Sequence, residues 1–300
     1  METLRTAEER FDALADWPFA PSYVEVSDPD GGTLRLHLVD EGDPAGRAVV
    51  LLHGEPTWSY LYRHVIPPLV DAGLRVVAPD LVGFGRSDKP AAQEDHTYAR
   101  HVAWTGEALF DRLGISDAVL FCQDWGGLIG LRLVAEHPER FGGVIASNTG
   151  LPTGDEGATE AFRSWQQAAT TMRSFPTGRI VDGGSLRSLS DAEIAAYDAP
   201  FPDDAFQAGA RALPKLVPTS PDDPAAAANR AAWASLAEFE RPFVTAFADQ
   251  DPITRGGDRP MRERIPGAAG QPHRTIEGAG HFVQEDAPEA IAEVILELAR

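Results

Sequence analysis

Apolar and β-branched residues gather in eight short runs: Tyr23–Val26, Leu34–Val39, Ala48–His53, Arg75–Pro79, Ala118–Cys122, Val144–Ser147, Phe243–Ala248 and Arg274–Ile276. Runs of this length, bounded by turn-forming residues, predict buried strands. Between most of them the apolar positions recur with helical spacing, over Ser59–Val70, Tyr98–Leu113 and Leu128–Glu136, and a last helix is expected from Ala287 to Leu298. Strands alternating with helices define an α/β protein with a mostly parallel eight-stranded sheet flanked by helices. The first two runs meet across Gly31-Gly32, which predicts an antiparallel start.

One region breaks the alternation. From about Pro152 to Pro224 no run reads as a strand, and Pro, Gly, Asp and Ala become frequent. Short helices are expected over Thr159–Ala169, Asp191–Tyr197 and Asp204–Ala212. An insertion at this place lies over the strand C-termini, where open α/β sheets carry their ligand crevice. The expected organisation is a core domain of residues 1–151 and 225–300 with a helical cap of residues 152–224.

The most informative stretch is Phe121-Cys122-Gln123-Asp124-Trp125-Gly126-Gly127, between a predicted strand and a predicted helix. Small residues two before and two after one reactive side chain give the layout of a nucleophile elbow. The residue at its tip is usually Ser; here it is Asp124. A carboxylate can displace a leaving group from saturated carbon and form an ester that water must then cleave. The elbow layout orders its partners as nucleophile, acid, histidine. His281 follows the last predicted strand and is the candidate base. Two acids follow the preceding strand, and Asp251, further past its end, is favoured over Asp249, whose plainer role is capping a turn. The turn Gly54-Glu55-Pro56 ends a central strand, so the backbone N–H groups of Glu55 and Trp125 are the expected oxyanion pair. For the departing anion, the donor-only indoles of Trp125 and of Trp165 in the cap are candidates. His53 is expected to be a hydrogen-bonded core residue, and His37, His64, His96, His101, His137 and His273 lack an acidic partner at suggestive spacing.

Composition narrows the setting. A net charge of −20 disfavours nucleic acid and anionic membranes as partners. The lone Cys122 excludes an internal disulfide, and no cluster of metal-ligand residues stands out. With no apolar core near the N-terminus and no long apolar run, the expected location is the cytoplasm, and a monomer is the default for this architecture.

Taken together, the stretches His53 to Arg63, Asp80 to Pro90, Gln123 to Gly127 and Gly280 to Glu285 resemble the haloalkane dehalogenases, a family of the α/β-hydrolase fold. The similarity runs over nearly the whole chain, and Ala196 to Pro202 resembles the subfamily whose acid follows the seventh strand. That resemblance implies hydrolysis of a carbon–halogen bond of a small neutral substrate without cofactor or metal, with Trp125 and Trp165 binding halide and Asp251 as the acid. Glu55 stands where the other subfamily has Asn, and Asn148 stands where that subfamily has its acid. Two alternatives share the scaffold: an epoxide hydrolase, disfavoured because Tyr197 is the one tyrosine of the cap, and a non-catalytic ligand receptor. A fluoroacetate-type site is disfavoured by Trp rather than Arg at position 125.

Overall fold

All eight runs are strands of one sheet. In the computed structural model, which describes residues 1–300, they are β1 (Ser22–Ser27), β2 (Thr33–Glu41), β3 (Ala48–Leu52), β4 (Arg75–Pro79), β5 (Ala118–Gln123), β6 (Phe141–Ser147), β7 (Phe243–Ala248) and β8 (Arg274–Ile276). Their order across the sheet is β8-β7-β6-β5-β3-β4-β2-β1. β1 pairs antiparallel with β2, as the glycine turn predicted, β2 also pairs antiparallel with β4, and every other neighbour is parallel.

The helices of the first half are α1 (Ile66–Asp71), α2 (Tyr98–Gly106) and α3 (Trp125–Glu136). Between β6 and β7 come α4 (Glu160–Thr171), α5 (Thr177–Gly184), α6 (Asp191–Asp198), α7 (Ala208–Leu216) and α8 (Ala226–Leu236). The chain closes with α9 (Asp258–Arg264), α10 (Val283–Asp286) and α11 (Pro288–Ala299). The central strands are unbroken apolar runs because both faces of the sheet are covered. Val49 and Leu51 enter an apolar layer with α1 and α11, while Val50 and Leu52 enter the opposite layer with α2, α3 and α8.

The helices show where periodicity misleads. Ser59–Val70 is not one helix but a 3₁₀ turn, Ser59–Tyr62, followed by α1. Pro67 and Pro68 are tolerated in the first turn of α1 but would break a helix running through them. The helix after the elbow starts at Trp125, three residues before Leu128. α5, which sits between Pro176 and a terminal Gly183-Gly184, was missing from the sequence reading because glycine is a poor helix former. A two-residue pairing of Thr3–Leu4 with Lys89–Pro90 was too short to leave a pattern.

The helices between β6 and β7 begin on local signals: the Thr159 hydroxyl accepts from Phe162 N at the start of α4, and Ser190 and Glu193 form a reciprocal capping box on α6. α8 lies on α3, against the sheet layer, whereas α5 and α6 share an apolar cluster with Trp58 and Tyr60 of the core. The Trp58 indole donates to Ala196 O at 3.2 Å. Beside it, buried Arg63 reaches Glu285 at 2.5 Å and Glu193 at 2.7 Å, and Arg187 and Tyr197 bond to the same Glu285. No helix is long and apolar enough to cross a membrane.

Candidate active site

Asp124 sits between β5 and α3 with φ of +50°, a conformation that costs a non-glycine residue about 1–3 kcal/mol. Its surroundings hold it there. Its backbone N–H donates to Asn148 O at 3.0 Å, and its carbonyl accepts from Gly127 N and from the Thr149 hydroxyl. Glycine at position 126 is a packing requirement, since a Cβ there would meet Leu52 O at 2.1 Å. The turn therefore thrusts the carboxylate up from the C-terminal edge of the sheet, between the ends of β3 and β8.

The two loops after β7 and β8 bring His281 and Asp251 to it. His281 Nε2 lies 3.6 Å from Asp124 Oδ2, and Nδ1 lies 3.0 Å from Asp251 Oδ2. Asp251 is itself fixed by Ile253 N at 2.8 Å and by the Thr254 hydroxyl. Asp249 instead accepts from Gly278 N at 2.9 Å, the turn-capping role expected of it. The backbone of the His281 loop is pinned from the cap, because Gly184 O at the end of α5 accepts from His281 N at 2.8 Å.

Burial opposes charge on the imidazole, yet the carboxylate of Asp251, followed by Asp124, outweighs it and raises the His281 pKa to about 10. Burial likewise pushes Asp251 up, but the His281 charge and three hydrogen bonds bring it down to about 2. The two shifts describe one ion pair.

Glu55 N–H donates to Asp124 Oδ1 at 2.8 Å, while Trp125 N–H, the first of α3, makes no hydrogen bond. Gly54 lets the two backbones approach, since a Cβ there would lie 2.3 Å from Asp124 Oδ1. From the sequence the Glu55 side chain serves only as a mark of the subfamily. Burial, and then the Asp124 charge, raise its carboxyl well above the usual range, with His281 and the Trp165 indole opposing weakly. It lines the cavity beside Asp124.

A cavity of about 510 Å³ opens above Asp124, lined by Trp125, Phe162, Trp165, Ile180, Leu186 and Phe282. Both tryptophans named from the sequence thus share a wall with Asp124. Tyr197 is elsewhere, fully buried with its hydroxyl on Glu285. His53 is a core residue as expected, with Leu81 N donating to its Nε2 at 2.9 Å. One correction concerns His37: it has an acidic partner, Asp80, at 2.7 Å in the buried core. The two are 43 residues apart, so no spacing could have indicated it. Asp80 also accepts from Ser59 N and Arg86 N, and so fastens three loops below the site. Asn148, read only as unable to be an acid, donates to both Gly280 O and His281 O at 2.9 Å.

A sheet of this order with an elbow nucleophile defines an α/β hydrolase, and residues 47–288 match the family model described as alpha/beta hydrolase fold. The chain is 52% identical to the haloalkane dehalogenase of Psychrobacter cryohalolentis, covering 99% of this chain and 98% of that protein. It is 53% identical, with the same coverage, to the haloalkane dehalogenase of Mycolicibacterium paratuberculosis. Among solved structures, the tetrameric haloalkane dehalogenase DpaA from Paraglaciecola agarilytica superposes with a TM-score of 0.91 at 36% identity, covering 99% and 98% of the two chains. The chain belongs to the haloalkane dehalogenases, hydrolases that act on carbon–halide bonds.

Proposed function

We propose that this chain cleaves small neutral haloalkanes through an alkyl ester on Asp124. The observation that carries the reading is a carboxylate on a strained elbow at the floor of an apolar cavity, with a histidine 3.6 Å away and two indoles in the walls. In the first stage Asp124 attacks the halogen-bearing carbon in line, and the carbon–halogen bond breaks with its electron pair leaving on the halide. Trp125 and Trp165 donate to that halide, each such charge-assisted bond contributing about 1.5–3 kcal/mol. No proton is needed.

In the second stage water attacks the ester carbonyl and gives its proton to His281. The oxyanion forms beside Glu55 N–H and Trp125 N–H; losing one such donor typically costs about 2.7–4 kcal/mol of barrier. Collapse expels the alkoxide, which takes the proton from His281, and the acid form of Asp124 gives up its own proton to water. Alkylation itself prepares the base. Once Asp124 is an ester its charge no longer holds a proton on His281, so the imidazole becomes able to accept one. Asp251 keeps it oriented and stabilises the charged form.

We assign residues 152–224 to the cap and the remainder to the core, a division supported by α8 packing on α3 in the helical layer against the sheet. An epoxide hydrolase would need acidic hydroxyl donors in the cavity, and no tyrosine lines it. A surface whose only exposed large hydrophobic residues are Met1 and Leu186 supports a monomer, although the DpaA relative is tetrameric.

The test is bromide release from 1,2-dibromoethane, 1-bromobutane and 1,3-dibromopropane. Release by the wild type that vanishes in Asp124→Ala is expected. Undiminished release by that variant would remove the nucleophile from the scheme.

A further inference from the structure

Gln123 precedes the nucleophile, is fully buried, and had no role in the sequence reading beyond its place in the elbow motif. Its amide nitrogen lies 3.1 Å from the backbone oxygen of His281 and 3.3 Å from the imidazole Nε2 of the same residue. A carbonyl oxygen only accepts, so the group facing it must be the NH₂ end of the amide, not its oxygen. The orientation is thereby fixed without appeal to hydrogen positions. Asn148 Nδ2 donates to the same carbonyl at 2.9 Å, and the Asn148 oxygen is occupied by Ala248 N at 2.8 Å. The Gln123 oxygen has no partner.

The two amide hydrogens of Gln123 diverge, one toward the His281 carbonyl and one toward Nε2. The amide is also nearer to Nε2 than the Asp124 carboxylate, which lies 3.6 Å away. Once Asp124 is an ester and the imidazole is neutral, its one hydrogen sits on Nδ1, which faces the Asp251 carboxylate, and Nε2 is the lone-pair nitrogen. A proton on Nε2 would point one donor at another. We propose that Gln123 is a positioning residue that holds His281 with Nε2 free to accept, and destabilises the protonated imidazole so that its proton passes on to the leaving alkoxide. The inference rests on the reading of His281 as the base for ester hydrolysis. It adds an opposing partner to Asp251: one group stabilises the charged ring from Nδ1, the other limits that charge from Nε2.

The consequence is confined to the second stage, since alkylation of Asp124 moves no proton. Rapid-quench single-turnover kinetics with 1-bromobutane, run across pH, separate the two stages. In Gln123→Met the alkylation rate should stay within about two-fold of wild type, the change of one neutral contact. Ester hydrolysis should slow, and the acidic limb of its pH profile should move up by about half to one pH unit, as loss of one hydrogen bond implies. Gln123→Glu keeps the volume but offers an acceptor to Nε2–H, and its limb should move further in the same direction. That ranking is not expected of a residue that merely props the backbone. A limb that stays in place in whichever of the two variants folds, or equal slowing of both stages, would overturn the proposal. A parallel experiment with His281→Gln keeps the two claims apart. If that variant accumulates the alkyl-enzyme while the Gln123 variants leave the limb unmoved, the base stands and only the role of Gln123 falls. If it accumulates none, the base assignment itself fails.

Discussion

At the scale of single residues, the chemistry depends on a few side chains whose environments differ sharply. His281 and Asp251 shift in opposite directions, and each shift links stability to pH. The imidazole is raised from 6.5 to about 10 in the folded protein, so its contribution is fully present below about pH 6.5 and is lost as pH rises through 10. Asp251 is lowered from 3.8 to about 2, so its contribution is present above about pH 3.8 and is lost as pH falls through 2. Urea midpoints of wild type should therefore fall more steeply between pH 6.5 and 10 than those of His281→Gln; parallel curves would contradict the ion pair. Trp165 makes a second prediction. Trp165→Phe keeps the ring against Phe175 but removes the N–H from the cavity wall. At about 1.5–3 kcal/mol for a charge-assisted bond, kcat/KM for 1-bromobutane should drop by roughly ten-fold or more. An unchanged value would take this indole out of the halide site. Asp124, Asp251, His281 and both tryptophans were legible because elbow, strand ends and family resemblance all name a position in sequence. The raised Glu55 carboxyl, the two amides of Gln123 and Asn148 and the His37–Asp80 pair were not, since each depends on contacts between distant segments of the chain.

At the scale of elements, the sheet was readable almost to the residue. Val49 to Leu52 are apolar on both sides, which only a strand covered on both faces requires. The helices were less so, because periodicity ignores the backbone: Pro67 and Pro68 split one expected helix, and Gly183-Gly184 hid α5. The hidden helix matters, since its last carbonyl holds the His281 backbone. The cap is further tied down by the cluster of Arg63, Arg187, Glu193 and Glu285, which joins the turn after β3 to α6 and α10. Arg63 and Glu285 side chains are fully buried. Removing one member of such a group leaves an uncompensated charge, at a cost of about 3–5 kcal/mol. Arg63→Met should lower the stability from urea denaturation by that amount. A change below about 1 kcal/mol would show that this buried ion cluster does not hold the segment to the core.

At the scale of the whole molecule, the sheet gathers the ends of β3, β5, β7 and β8 at one edge, and the segment between β6 and β7 closes over them. In the proposed scheme alkylation changes one charge at that edge, and that change alters what His281 can do. Fold class and the place of the insertion followed from the alternation of runs, since layers of strand and helix leave a periodic trace. The shape of the cavity did not, because it is set by how α4 and α5 lean over the sheet and by side chains such as Ile180 and Phe282 meeting there. The central claim is that the reaction passes through an ester on Asp124. The most direct measurement is peptide mass spectrometry of His281→Gln after incubation with 1-bromobutane. The account predicts a butyl adduct on the peptide containing Asp124, accumulating to about one per enzyme. An unmodified Asp124 in a variant that still releases bromide would contradict it.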